Sequence, residues 1–313
     1  MTIKEALRAY LQYLQTLGRS HYTIKNARSV LRGLLAFLEE QHLANVEELQ
    51  ADVLEEYQQD LAFQVTAQGK LLALRTQGQK MMTVKSFTKF LKDKDYLLHD
   101  PGARIQLPRK PKRLPKVILS AKDVKKLIEA PDTHTNRGYR NRIIIEILYD
   151  TAIRRSELAN IKVMDMDLQS GFIRIQGKGD KDRVVPLSER VCELVRNYLL
   201  AVRPCLIRDN NNDYLLLNRW GKKMDPNAVW AVVKRCTYLA SLRKNVSTHT
   251  LRHTCATHML KNGAPVRHLQ EMLGHESLES TQLYTHVTIN DLKEIHRKYH
   301  PSEQMAESEK DKE

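Results

Sequence analysis

The stretch HTLRHTCATHML, residues 249–260, holds three histidines, an arginine and a cysteine within twelve positions. It reads as part of a helix opening at Thr248. Positions three apart share a helix face, so His249 and Arg252 bring both polar heads to within reach of a single phosphate. A metal reading fits less well. His249 and His253 have the i, i+4 spacing of zinc helices, but position 250 is Thr where that motif carries its glutamate base, and no second ligand cluster follows at finger spacing.

Outward from this helix the pattern is mixed. Helical periodicity also opens at Ser188, Asn227 and Pro265; Ser120 with Asp123 marks another helix start, and Ile143–Leu148 is an apolar run suited to a buried helix. The segment GFIRIQGKGDKDRVVPL, residues 171–187, is two β-rich runs around a glycine-rich turn, the sequence form of a hairpin. Its GKGDK turn lacks the spacing of a phosphate-cradling nucleotide loop, so ATP use is not expected. Residues 117–300 therefore predict a mainly α domain with a small β-hairpin or sheet (α+β).

Upstream lies LPRKPKRLPK, residues 107–116, with three prolines, five basic residues and no acid. Proline removes backbone donors and fixes φ, so this is extended chain. It reads as a basic linker over 108–116, and Arg109, Lys110, Lys112 and Arg113 are candidate nucleic-acid contacts. Residues 1–107 read as a helical bundle. Leu7, Leu11 and Leu14 repeat at helical spacing before Gly18; Thr23 is a candidate cap for a helix with the stripe Ala27, Leu31, Leu34, Leu38; Val53, Tyr57 and Leu61 suggest a third helix. A fourth carries Met81, Val84, Phe87 and Leu91, with Lys85, Lys89 and Lys92 on another side. Those lysines are either a solvated face or, as the composition favours, a face that tracks phosphates. The final residues, 301–313, hold five acidic and two basic side chains and predict a disordered tail.

The 313 residues suit about two domains. Lys and Arg total 51 against 37 Asp and Glu, a net charge of +14. Residues 1–107 hold 14 basic and 12 acidic side chains, so nearly all the excess lies beyond them. Such an excess argues for a polyanionic partner, nucleic acid before membrane. No segment reads as a secretion signal, and no apolar run approaches the ~18 residues of a membrane span, so a soluble cytoplasmic protein is expected. The four cysteines, Cys192, Cys205, Cys236 and Cys255, form no C-x-x-C pair and read as buried thiols in a reducing compartment.

Cutting a DNA strand without metal needs charge on the non-bridging phosphate oxygens answered, a nucleophile, a base for its proton, and an acid for the leaving oxygen. Arginine forks suit the first task, because they donate two bonds at once and stay charged. TAIRRSEL (151–158), GKGDKDRVVPL (177–187), HTLRHTCATHML (249–260) and LGHESLESTQLYTH (273–286) resemble, in order and spacing, the successive signatures of the tyrosine recombinase (phage integrase) family, and within it the Xer-type recombinases. The likeness is specific over residues 140–300 and looser over the N-terminal part, which resembles the family's SAM-like core-binding domain.

The resemblance implies that Arg154 and Arg252 clamp the phosphate. Lys178 would be the acid for the leaving 5′ oxygen, with Lys181 as its rival in the same turn. His249 and His275 would assist proton transfer and bind the phosphate. Tyr284 would be the nucleophile, Tyr299 being the nearest rival, and Glu157 would buttress the site. One departure is visible: Ala152 stands where the family's T-G-L-R form has glycine. The resemblance further implies recognition of duplex DNA at specific sites, a tetramer exchanging strands through a Holliday junction, and no metal or other cofactor. A second recombinase or accessory protein is a further expected partner. Two alternatives stay open at this point, a type IB topoisomerase that reseals the same strand and a silent DNA-binding relative.

Overall fold

The computed structural model describes residues 1–66, 68–108, 117–176, 182–208, 212–274 and 289–301. The linker arginines and lysines (Arg109, Lys110, Lys112, Arg113), the turn with Lys178 and Lys181, the segment with His275 and Tyr284, and the acidic tail lie outside the described residues. The chain divides into two compact units, Met1–Leu114 and Pro115–Glu313.

The first unit is helical: α1 (Ile3–Thr16), α2 (His21–Glu40), α3 (Ala51–Phe63) and α4 (Leu74–Asp93). A capping box between Thr2 and Glu5 starts α1, and Gly18, at φ +63°, follows its end. The cap of α2 is Ser20 rather than Thr23: the Ser20 hydroxyl accepts from the Thr23 N–H at 3.2 Å, so Thr23 already lies in the first turn. The apolar stripes of all four helices meet in one core, in which Tyr10 packs against both Phe87 and Phe90. Lys89 and Lys92 of α4 are exposed. Lys85 is not placed with them in effect: its ammonium donates to the carbonyls of Ala103 (3.2 Å) and Ile105 (2.9 Å) in its own unit. Gly102 allows that approach, because a Cβ there would stand 2.4 Å from the Thr88 hydroxyl on α4.

The second unit is built around a buried helix. It opens with α5 (Ala121–Glu129), capped by Ser120 and Asp123 as a box, and continues with α6 (Asn136–Thr151) and α7 (Arg155–Asn160). From Arg140 to Thr151 only Arg142 of α6 is not buried, which is why the helix shows almost no amphipathic pattern. Three antiparallel strands follow, β1 (Met166–Asp167), β2 (Phe172–Ile175) and β3 (Arg183–Pro186), in the order β1-β2-β3. In the predicted hairpin Ile173 faces Val185 and Ile175 faces Arg183. Strand β1 was not expected; two residues are too few to show alternation. Next come α8 (Glu189–Asn197), α9 (Arg203–Leu206), α10 (Pro226–Leu239), α11 (Thr248–Lys261), α12 (Val266–Leu273) and α13 (Ile289–Tyr299). Helices α5, α8, α10 and α11 pack on α6, while α13 lies against β3 and α12. The cysteines need one correction: Cys192, Cys236 and Cys255 are buried, but Cys205 is exposed, because α9 is a short surface helix with no buried residue. No described helix is long and apolar enough to cross a membrane.

Candidate active site

Arg154 and Glu157 enter the site through the break between α6 and α7. Helix α6 ends on Ala152, whose backbone is left-handed (φ 52°, ψ 22°). That is the conformation a glycine would adopt freely, and alanine tolerates it at a modest cost. The departure from T-G-L-R therefore leaves the turn intact. Arg154 then caps α7, and Glu157 folds back on it: one carboxylate oxygen accepts from the Arg154 N–H and the other from Arg154 Nη1, both at 2.8 Å.

Helix α11 supplies Arg252 and His249. Ser247 starts it, its hydroxyl accepting from the Thr250 N–H. His249 is the exposed residue of the first turn, and Arg252, three positions on, is 9% exposed. Arg252 Nη1 donates to the Ala152 carbonyl and Nη2 to the Leu273 carbonyl, each at 2.6 Å. The left-handed turn thus has a direct use, since it turns the Ala152 carbonyl toward the α11 arginine. Burial first, then the neighbouring Arg154 charge, push Arg252 down to about 10, and it stays charged at neutral pH.

Three guanidiniums converge on the C-terminal end of α12. Arg183, the first residue of β3, donates from Nε to the Met272 carbonyl (3.1 Å); Arg252 takes Leu273; Arg154 Nη2 reaches Gly274 (3.4 Å). Each of three consecutive carbonyls receives a different arginine. A helix C-terminus carries partial negative charge, so it is a natural place to hold cations. Arg183 also grips Glu157 with its fork, Nη2 to Oε2 at 2.8 Å and Nη1 to Oε1 at 3.2 Å. Burial alone would raise the Glu157 carboxyl, but the Arg183 fork, the Arg154 N–H and the Arg154 guanidinium outweigh it and hold the carboxyl below the usual range. Three arginines and one carboxylate leave the site positive before any anion arrives.

Among the described residues, then, the structure brings together Arg154, Glu157 and Arg252 and puts His249 on the same helix as Arg252. Sequence reasoning missed Arg183. The signal was inside a quoted motif, in the D-R step that ends the hairpin turn, but nothing local ties it to Glu157. Lys178, His275 and Tyr284 lie outside the described residues. His258 is structural: Tyr149 donates its hydroxyl to Nδ1 and Nε2 donates to the Leu119 carbonyl, both at 2.9 Å. Tyr299 packs its ring on Gly263.

Metal-compatible spacing occurs elsewhere among the described residues, at Asp150, His296 and His300, all buried. Their geometry is that of packing. The two imidazoles stack at 4.5 Å with planes 6° apart, so their in-plane lone pairs do not meet at a point, and His296 Nε2 is engaged by the Asp150 carbonyl at 2.9 Å.

An arginine-clamped site on a mainly helical domain with a small antiparallel sheet defines the class, a phosphate-handling enzyme of the integrase type, and the comparisons agree. Residues 118–291 match the model of the phage integrase family. Tyrosine recombinase XerD of Staphylococcus epidermidis is 36% identical over 293 residues, 93% of this chain and 97% of that protein. Its counterpart from Staphylococcus aureus strain Mu50 is 34% identical over the same shares. Among solved structures, XerH site-specific recombinase bound to a palindromic difH substrate in a post-cleavage complex is 25% identical. It has a TM-score of 0.60 and covers 80% of this chain and 72% of that one. A lambda integrase tetramer bound to a Holliday junction shares the fold, with a TM-score of 0.67 at 15% identity over 92% of this chain and 81% of that one. The chain belongs to the phage integrase family, the tyrosine recombinases, enzymes that cut and rejoin DNA in site-specific recombination.

Proposed function

We propose that the site performs metal-independent strand exchange, with Tyr284 as nucleophile. The tyrosine oxygen attacks the scissile phosphorus and yields its proton to a histidine, His249 or His275. The 5′ oxygen leaves with a proton from Lys178. The products are a 3′-phosphotyrosyl bond and a free 5′ hydroxyl. Because the covalent bond retains the energy of the cut, the 5′ hydroxyl of a second strand reseals it without ATP. Arg154 and Arg252 meet the charge that grows on the non-bridging oxygens.

The observation that carries this reading is the convergence of the arginines on Met272, Leu273 and Gly274. These residues directly precede His275 in the chain, so the guanidiniums are anchored to the backbone that leads into the segment of Tyr284. Further assignments rest on the family. Residues 1–107 form the core-binding domain, with Lys89 and Lys92 on phosphates. Residues 108–116, with Arg109, Lys110, Lys112 and Arg113, form a linker lying on DNA, and residues 117–300 form the catalytic domain. The assembly is a tetramer on two specific duplex sites, passing through a Holliday junction. It acts in the cytoplasm on the nucleoid.

Mapping covalent complexes on genomic DNA identifies the target. A plasmid with two copies of that site should then resolve into two circles. Relaxation without exchange would mean that the enzyme reseals only the strand it cut.

A further inference from the structure

Arg183 is a largely enclosed cation to which the proposed chemistry gives no role. Its side chain is 14% exposed, and three contacts occupy its guanidinium: both Nη atoms on Glu157, and Nε on the Met272 carbonyl. The plane also lies against Gly274, where a Cβ would stand 3.2 Å from Cζ, Nε and Nη1 alike. Gly274 is left-handed (φ +61°) and closes α12, so a side chain there would be strained and would crowd the guanidinium by a few tenths of an ångström. Glycine is what lets the guanidinium lie flat on the backbone.

These contacts join three parts of the site that the chain keeps far apart. Through β3, Arg183 is fixed to the strand leaving the turn of Lys178. Through Glu157 it reaches Arg154, since the same two carboxylate oxygens that hold the Arg183 fork also hold the Arg154 Nη1 and N–H. Through Met272 and Gly274 it reaches the end of α12, next to His275. Arg154 is the looser partner, its side chain 42% exposed against 14% for Arg183. A half-exposed arginine has several rotamers within reach, and a carboxylate already fixed from the other side selects one of them.

We infer that Arg183 is a positioning residue for strand cleavage. It clamps Glu157 so that Arg154 is held in a single orientation toward the phosphate, and it sets the end of α12 relative to the hairpin. The inference rests on the proposed reaction but goes beyond it, because the residue touches no DNA in this account. Lysine cannot replace it: an ammonium has no fork to span two carboxylate oxygens and a carbonyl at once.

The test is single-turnover cleavage of a nicked substrate, with DNA affinity measured in parallel. Arg183→Lys should cleave about 10- to 100-fold more slowly while binding DNA within about threefold of wild type, the pattern of a misplaced catalytic group. In an Arg154→Lys background the same change should add less than about twofold, because the orientation it protects is already lost. Multiplying losses in the double variant, or a cleavage rate for Arg183→Lys within about twofold of wild type, would overturn the inference. If Arg183→Lys melts early by tryptophan fluorescence, Glu157→Gln decides in its place. Paired with Arg154→Lys it should again be non-additive, and independent losses would again overturn the inference. Wild type failing to form any phosphotyrosyl adduct would instead refute the reaction itself, so the two failures are distinct.

Discussion

Acid should loosen the second unit through His300, and by an amount the structure sets. His300 is fully buried, stacked on His296 and edge-on to Tyr149 at 5.2 Å. Burial, then the His296 ring, push it down to about 3 from an ordinary 6.5; His258 pushes the same way, while Asp150 and the Tyr149 carbonyl pull up and lose. The folded value lies below the unfolded one, so the unfolded chain takes up the proton first. Stability is intact above about pH 6.5 and falls as pH drops toward about 3, by about 1.4 kcal/mol per unit, or about 2 kcal/mol at about pH 5. Both tryptophans, Trp220 and Trp230, lie in the second unit, so urea unfolding followed by their fluorescence reports that unit alone. Glu157 and other held carboxylates also lose stability in acid, and comparison with His300→Gln cancels them. Wild type should lose about 2 kcal/mol more than His300→Gln between about pH 7.5 and about pH 5. Equal losses in the two proteins would refute the reasoning.

Arg252→Lys keeps a charge but cannot serve the Ala152 and Leu273 carbonyls and a phosphate together; cleavage should fall at least about 100-fold and DNA affinity far less, and equal losses would demote it to a plain phosphate contact. A 5′-bridging sulfur leaves without a proton, so such a substrate should restore cleavage by Lys178→Ala but not by Arg154→Ala; restoration of Lys181→Ala instead would move the acid to that lysine. Lys89→Gln with Lys92→Gln should flatten the salt dependence of DNA binding by about two counterions, whereas Lys85→Gln should leave that slope alone and lower the melting point of the first unit, because its ammonium already serves two backbone carbonyls.

Much of this architecture is legible in the sequence, for physical reasons. Helix stripes such as Leu31, Leu34 and Leu38 repeat at the period that burial demands, Ser120–Asp123 and Ser188 cap the helices they predicted, and α11 opens at Thr248 as expected. The hairpin was visible because β2 and β3 flank a glycine-rich turn. What stayed hidden depends on distant chain. Lys85 shares a periodic face with Lys89 and Lys92, and only the return of residues 103–105 distinguishes it. Arg183 and Glu157 are 26 positions apart, and Asp150 meets His296 across 146. Spacing along one helix shows which side chains share a face; it does not show which carbonyl another segment will present. Arg154, Glu157 and Arg252 were reached through motifs, and the arginine-capped end of α12 through none.

The most direct measurement of the central claim is covalent capture on a nicked duplex whose short 5′ fragment diffuses away after cleavage. Wild type should accumulate a denaturation-resistant adduct on the 3′ phosphate, undiminished by excess EDTA and without nucleotide. Tyr284→Phe, which loses only the hydroxyl, should form none while binding the same duplex as wild type does. An adduct that persists in Tyr284→Phe, or that maps by peptide mass to Tyr299, would contradict the account.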